Sequence, residues 1–133
     1  MSDYLELAEQ VVDAYNNKDV DVFIDMYALD ADVEFPDQAR PNREEMIAEF
    51  QEIIEAVPDR WFDVSRIVTT ESGAVVECIT RGTNTGSLFG NPPTNRQLAV
   101  PFVHIYDFEK GKIIRQRTYA NYMILMQQLG ISS

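Results

Sequence analysis

The spacing of apolar residues changes once along the chain, from a period near 3.6 to a period of 2. Between Asp3 and Asn17, Leu5, Ala8, Val11 or Val12, and Tyr15 recur at three- and four-residue steps, which predicts a helix with one apolar face. Asn16-Asn17-Lys18-Asp19 breaks the pattern, and Asp19 is placed to cap a second short helix carrying Val22, Phe23, Met26 and Tyr27. Ala31 to Phe35 reads as a short strand stopped by Pro36. Asn42 then caps a third helix, with Glu44 and Glu45 favouring the dipole in its first turn. The apolar face of that helix is Met46, Ile47, Phe50, Ile53 and Ile54, and Pro58 lies just past its end.

From Trp61 onward the pattern is that of strands. Residues 61–70, 74–88, 96–108 and 112–120 are rich in β-branched and aromatic side chains and predict four long strands. Ser72-Gly73 and Glu109-Lys110-Gly111-Lys112 read as hairpin turns, and Gly90-Asn91-Pro92-Pro93 as a wider loop. Strands joined in this way form an antiparallel meander. A last helix, Tyr122–Leu129, ends at Gly130 as its C-cap. Helices first and a long sheet afterwards predict an α+β fold. A strongly curved antiparallel sheet wrapped around the N-terminal helices makes a conical barrel with a pocket at its open mouth. Neither a linker nor a repeat interrupts residues 1–133, so one domain is expected.

Composition narrows the partners. Of the 133 residues 45% are apolar, enough for a real core. No run approaches the roughly 18 apolar residues of a membrane span, and the opening MSDYLELAEQ lacks the basic start of a signal peptide. A cytoplasmic protein is the expectation. The formal charge of −11, from 22 acids against 11 bases, repels phosphate backbones and anionic lipid. Nucleic acid and membranes are therefore excluded as natural partners, although a salt-rich habitat produces the same balance. Cys78 is the sole cysteine and, beside Val75, Val76 and Ile79, reads as a buried thiol with no internal disulfide. One His and one Cys do not make the usual zinc site, so no metal is expected.

Two polar residues stand on apolar strand faces. His104 shares a face with Phe102, Tyr106 and Phe108, while Val103 and Ile105 point the other way. An imidazole there can donate to an enolate oxygen, take a proton near neutral pH, or simply pack in the core. Asn84 shares its face with Val76, Cys78 and Thr80 and is expected inside, where its amide either lines a pocket or is tied into the scaffold. Trp61, Phe62, Met123 and Met126 read as core or pocket wall.

Four stretches, Gly82-Thr83-Asn84-Thr85-Gly86, Pro92-Pro93-Thr94-Asn95-Arg96, residues 103–108 with Gly111-Lys112-Ile113, and Tyr119-Ala120-Asn121 with Gln128-Leu129-Gly130, carry a resemblance to the SnoaL-like polyketide cyclase family. Gly82-Thr83-Asn84-Thr85-Gly86 resembles the family's Gly-Thr-His-Thr-Gly strand, and Pro92-Pro93-Thr94-Asn95-Arg96 its Pro-Pro-Thr-Gly-Arg turn. Val103-His104-Ile105-Tyr106-Asp107-Phe108 with Gly111-Lys112-Ile113 is similar to its histidine-containing strand and hairpin. Tyr119-Ala120-Asn121 and Gln128-Leu129-Gly130 resemble its Tyr-x-Asp and Gln-Leu-Gly close. The matches keep their order over about residues 8–130. The resemblance implies the fold shared by nuclear transport factor 2, ketosteroid isomerase and limonene epoxide hydrolase, with homodimers formed through the outer face of the sheet. It also implies ring closure of a polyketide ester by an intramolecular aldol step without metal or organic cofactor.

Carried over by position, the resemblance makes His104 the pocket histidine and puts Asn121 where the cyclases place a catalytic aspartate. An amide has no useful basicity, yet it can orient a ligand or water, or cap the helix that begins at Tyr122. Tyr15 matches a first-helix tyrosine near the substrate. Glu49 resembles a position able to face the pocket, where its carboxylate can replace the missing base or remain solvated. Val33-Glu34-Phe35-Pro36 lacks the aspartate of ketosteroid isomerase, and Arg81-Gly82-Thr83 lacks the acid of the epoxide hydrolase pair. The expectation is thus a small hydrophobic carbonyl compound, with His104 and Asn121 as catalytic residues. Tyr15, Asn84, Glu49, Phe102, Tyr106 and Trp61 are expected around it. The alternative is a binding or interaction module without turnover.

Overall fold

The computed structural model describes residues 3–88 and 90–130. Three helices, α1 (Tyr4–Asn16), α2 (Val20–Asp25) and α3 (Arg43–Ala56), and a first strand β1 (Tyr27–Glu34) precede the main sheet. Strands β2 (Trp61–Thr69), β3 (Gly73–Thr83), β4 (Gln97–Glu109) and β5 (Lys112–Ala120) follow, and α4 (Tyr122–Leu129) closes the fold. Every helix start has a side-chain cap. Asp3 and Asp19 accept from Glu6 N and Val22 N, Asn42 and Glu45 form a reciprocal capping box, and Asn121 accepts from Met123 N. Gly130, at φ 74°, ends α4 as expected.

The strands lie in the order β1-β5-β4-β3-β2, antiparallel except for the parallel β1–β5 pair. That pair corrects the expectation at the N-terminal side. Helix α2 stops at Asp25, and Tyr27 opens a strand rather than continuing a helix. Non-local bonds decide this: Ile113 N donates to Met26 O, and Arg43 Nη1 to the Tyr27 carbonyl. The far end of β1 is held by Arg117, whose guanidinium lies 2.7 Å from Asp32 and 3.3 Å from Glu34.

Alternation sends Leu98, Val100, Phe102, His104, Tyr106 and Phe108 of β4 to the concave face, as the period of 2 requires. Bulges between Val64 and Arg66 and between Asp107 and Phe108 interrupt the ladder where the sheet bends. Against that face α1 buries Ala8, Val11, Val12 and Tyr15, and α3 buries Met46 and Phe50. Each large apolar side chain so buried contributes roughly 1.5–3 kcal/mol. Cys78 is buried as read from the sequence, and burial pushes its thiol up to about 12, which leaves it unreactive.

Strand β3 ends at Thr83, not at residue 88. The amides of Thr85 and Gly86 both donate to the carbonyl of Ala56 at the end of α3, so they leave the sheet. This requires close approach. A Cβ on Gly86 would stand 2.3 Å from the Glu55 carbonyl oxygen, and one on Gly82 would stand 2.3 Å from Val57 Cγ1 and 3.0 Å from Arg60 Cα. Asn84 completes the joint. Its amide donates to Gly86 O (2.8 Å) and Ala56 O (3.4 Å), and its oxygen accepts from Thr94 N and Thr94 Oγ1, both at 3.0 Å. The two glycine- and proline-rich stretches singled out in the sequence are thus one structural joint.

Asn84→Ala leaves the half-buried Thr94 amide without its acceptor and removes the bonds to Ala56 and Gly86, and should cost about 1–2 kcal/mol. A urea titration should show a lowered midpoint at unchanged slope, and an unchanged midpoint would contradict this role.

Candidate functional site

The concave face and the helices leave between them a cavity of about 160 Å³, lined almost entirely by apolar and aromatic side chains. That is close to the size of an engineered cavity, about 150 Å³, that takes benzene. Helix α1 supplies Tyr15, α3 supplies Glu49 and Phe50, the sheet supplies Phe62, Phe102, His104 and Tyr106, and α4 supplies Tyr122 and Leu125. Half-buried Phe35, Pro36, Glu49, Ile53 and Tyr122 mark its mouth.

His104 sits in the inner wall, its ring 5.0 Å from Phe62, 5.7 Å from Phe102 and 5.9 Å from Tyr106 between centroids. Its protonation follows from a chain of hydrogen bonds. The Tyr27 hydroxyl donates to Gln116 Oε1, and Gln116 Nε2 donates to Thr118 Oγ1 at 2.8 Å. Thr118 Oγ1 lies 2.9 Å from His104 Nδ1, and among the described residues its hydroxyl hydrogen has no other acceptor, so we assign the hydroxyl as the donor in this hydrogen bond. Nδ1 therefore accepts, and Nε2 carries the ring hydrogen. Nε2 is buried, belongs to a residue that lines the cavity, and has no hydrogen-bond partner among the described residues.

Burial lowers the imidazole from its usual 6.5 to about 4, so it is neutral at pH 7. The unfolded chain binds the proton first as pH falls. Stability that comes from keeping the ring neutral is thus complete above about 6.5 and is lost on the way down to about 4. A neutral Nε2–H is a hydrogen-bond donor. It is a poor base.

Glu49 is the one carboxylate among the described residues that line the cavity. Burial raises its carboxyl above the ordinary range, and the nearby Asp37 and Glu52 charges add to the rise. Tyr15 stacks on Phe62 with centroids 3.6 Å apart, and its hydroxyl accepts from Arg60 Nε at 2.7 Å. Burial raises the Tyr15 hydroxyl's pKa, and the Arg60 charge opposes that rise.

Arg60 was not among the residues expected from the sequence. Its side chain lines the cavity, and the residue is 1% exposed. Parity holds the missed signal: two residues before Phe62, Arg60 falls on the same side of the chain entering β2. Parity also corrects Trp61, which points away from Phe62, is 45% exposed and lies outside the lining. Asn84 is buried as expected but spends its amide on the α3 joint and does not line the cavity. Asn121 is exposed, caps α4 through the 2.9 Å bond from Met123 N, and likewise stands outside the lining. Of the roles read for it, the structure shows the cap. Tyr15, Glu49, Phe102, Tyr106 and His104 are brought together around one space.

Among the described residues no group of three or more His, Cys, Asp or Glu side chains is placed to hold a metal ion, and no helix is long and apolar enough to cross a membrane.

Solved structures share this architecture. AclR from Streptomyces galilaeus, a proposed hydroxylase, superimposes with a TM-score of 0.87 at 21% identity, covering 96% of this chain and 80% of AclR. IdmH from Streptomyces antibioticus, a proposed polyketide cyclase, gives 0.84 at 22% identity over 98% of this chain and 100% of its own. A ketosteroid isomerase-like protein from Catenulispora acidiphila, solved with trimethylamine, gives 0.80 at 13% identity over 96% and 94%. At these identities the likeness is one of fold. A search of curated proteins found no match. The family description "SnoaL-like polyketide cyclase" matches residues 5–129, nearly the whole chain. The chain belongs to the SnoaL-like polyketide cyclase family.

Proposed function

We propose that the protein is a cofactor-independent enzyme of the cyclase and isomerase type, which enolises a hydrophobic carbonyl compound inside the cavity. The observation that carries this reading is the unpaired Nε2–H of neutral His104 in the wall of an apolar cavity that also holds a carboxylate. Glu49 removes a proton from the carbon beside the carbonyl, and the C–H electron pair moves into the new C=C bond. The carbonyl π pair passes to oxygen, where the His104 Nε2–H hydrogen bond receives the charge. The enolate carbon then attacks a second carbonyl of the same molecule, whose π pair moves to its oxygen and takes the proton back from Glu49, or the proton returns from Glu49 to a different carbon. A raised Glu49 pKa makes it a stronger base at neutral pH. Of the roles open to them, His104 thus takes that of donor at oxygen, and Glu49 supplies the base that the amide of Asn121 cannot.

A ligand-binding module without turnover is the second reading, favoured by the amide of Asn121 where the family's cyclases place an acid. We further propose a homodimer through the outer face of the sheet. Val103 lies opposite Glu77 and Tyr119 there, Val75 opposite Ile105, and Val68 and Tyr119 are 42% and 56% exposed. Such a row of apolar side chains suits a partner sheet.

Exchange of the α-protons of 2-tetralone into deuterated water, followed by NMR, separates the two readings. The wild type should accelerate exchange, Glu49→Gln should lose about 100-fold or more, and His104→Leu should lose a comparable factor. Asn121→Asp should leave the rate unchanged, because Asp caps a helix equally well. Saturable binding of 2-tetralone without exchange would establish the binding module instead. Sedimentation should give twice the 15.2 kDa of one chain, and Val103→Glu should give the monomer. A monomeric wild type would contradict the dimer.

A further inference from the structure

Arg60 is a buried charge without a counter-ion. The chain has 22 acidic residues, yet among the described residues none forms an ion pair with it. Its Nε donates to the Tyr15 hydroxyl, and its guanidinium carbon lies 4.1 Å from the centre of the Tyr15 ring and 4.6 Å from that of Phe50. These aromatic faces offset part of the desolvation. Both Nη1 and Nη2 are buried and have no hydrogen-bond partner among the described residues. A buried cation left in this state is among the most costly features a fold can keep.

The surroundings hold it there. Asp59 is clamped by Thr83, whose amide and hydroxyl donate to its carboxylate at 2.7 and 2.9 Å. Arg60 N donates to Val57 O, and the bare Gly82 lets the turn lie against β3. A surface arginine needs no such scaffold.

Resting on the reading of the cavity as an enolising site, we propose that its substrate is a keto acid with an apolar body, whose carboxylate docks on Arg60. The free Nη1 and Nη2 form a planar fork that matches the two oxygens of a carboxylate. The ketone oxygen goes to His104 Nε2–H. Arg60 and His104 are connected through the stacked Tyr15 and Phe62 rings, which are 3.6 Å apart, with Phe62 a further 5.0 Å from His104. The ligand's carboxylate and ketone are accordingly joined by an apolar spacer that packs along these rings. The ligand's charge also neutralises the buried Arg60 cation in a chain whose net charge of −11 otherwise repels anions.

Calorimetric titration of the intact chain at pH 7.5 with 4-oxo-4-phenylbutanoate and with its primary amide tests this. The wild type should bind the acid about tenfold or more tighter than the amide. Arg60→Met should abolish that preference while holding the amide nearly as well, and Arg60→Lys should keep part of it. Because Arg60→Met removes an unpaired buried charge, its urea midpoint should not fall below that of the wild type. Equal affinity for acid and amide in the wild type, or a preference that survives in Arg60→Met, would overturn the proposal. Exchange of 2-tetralone, which has no carboxylate, keeps the two readings apart. If it persists without an acid preference, Arg60 recognition falls and the enolising site stands. If an Arg60-dependent preference is found without exchange, carboxylate docking stands and the enolising site falls.

Discussion

The carbonyl of Ala56 is the point from which the cavity is built. It ends α3, and it accepts from the amides of Thr85 and Gly86 and from the side chain of Asn84. Those bonds set how closely α3 approaches the concave face, and two residues without Cβ atoms allow the approach. The same joint fixes the turn that carries Arg60 and, through Thr94, the loop that leads into β4. A sheet curved over helices must either fill its concave face or leave a space. Here the space is left, and its walls are set by backbone hydrogen bonds rather than by the side chains that face it.

Among the described residues, three polar side chains, His104, Arg60 and Thr80, then stand in those walls with hydrogen-bonding capacity unspent. Buried donors are normally paired, and each orphan costs free energy. If the cavity takes a keto acid, the cost of leaving His104 Nε2 and the Arg60 fork unsatisfied is recovered when ligand oxygens meet them. Tyr27, Gln116 and Thr118 also line the cavity, but their hydrogen-bonding atoms are spent on one another and on His104. The part of this relay is to choose the tautomer, so that the hydrogen lies on the cavity side of the ring.

Much of this was legible in the sequence, and the parts that were not share one cause. Caps and periods placed α1, α3 and α4 almost to the residue, and strand parity put His104, Phe102 and Tyr106 on the inner face. Parity applied two residues earlier would also have exchanged Trp61 for Arg60. What could not be read were choices made by distant partners. Tyr27 joins a strand because Ile113 bonds its neighbour, and the chain leaves β3 after Thr83 because the amides of Thr85 and Gly86 and the side chain of Asn84 turn to Ala56, far back in the sequence. Asn84 was correctly read as inward, but its satisfaction by Ala56 and Thr94 is a property of the assembled joint. Asn121 shows the limit of position matching. It stands where the resemblance puts a catalytic group, yet its side chain is turned to the helix it caps.

The central claim is that His104 is a neutral donor aimed at the ligand, and the chain's single histidine makes this directly measurable. Long-range nitrogen–proton NMR on uniformly labelled protein reports both ring nitrogens without ambiguity of assignment. The account predicts the Nε2–H tautomer across neutral pH, with protonation setting in only near 4. An imidazolium that forms near 6.5, or a hydrogen on Nδ1, would contradict it.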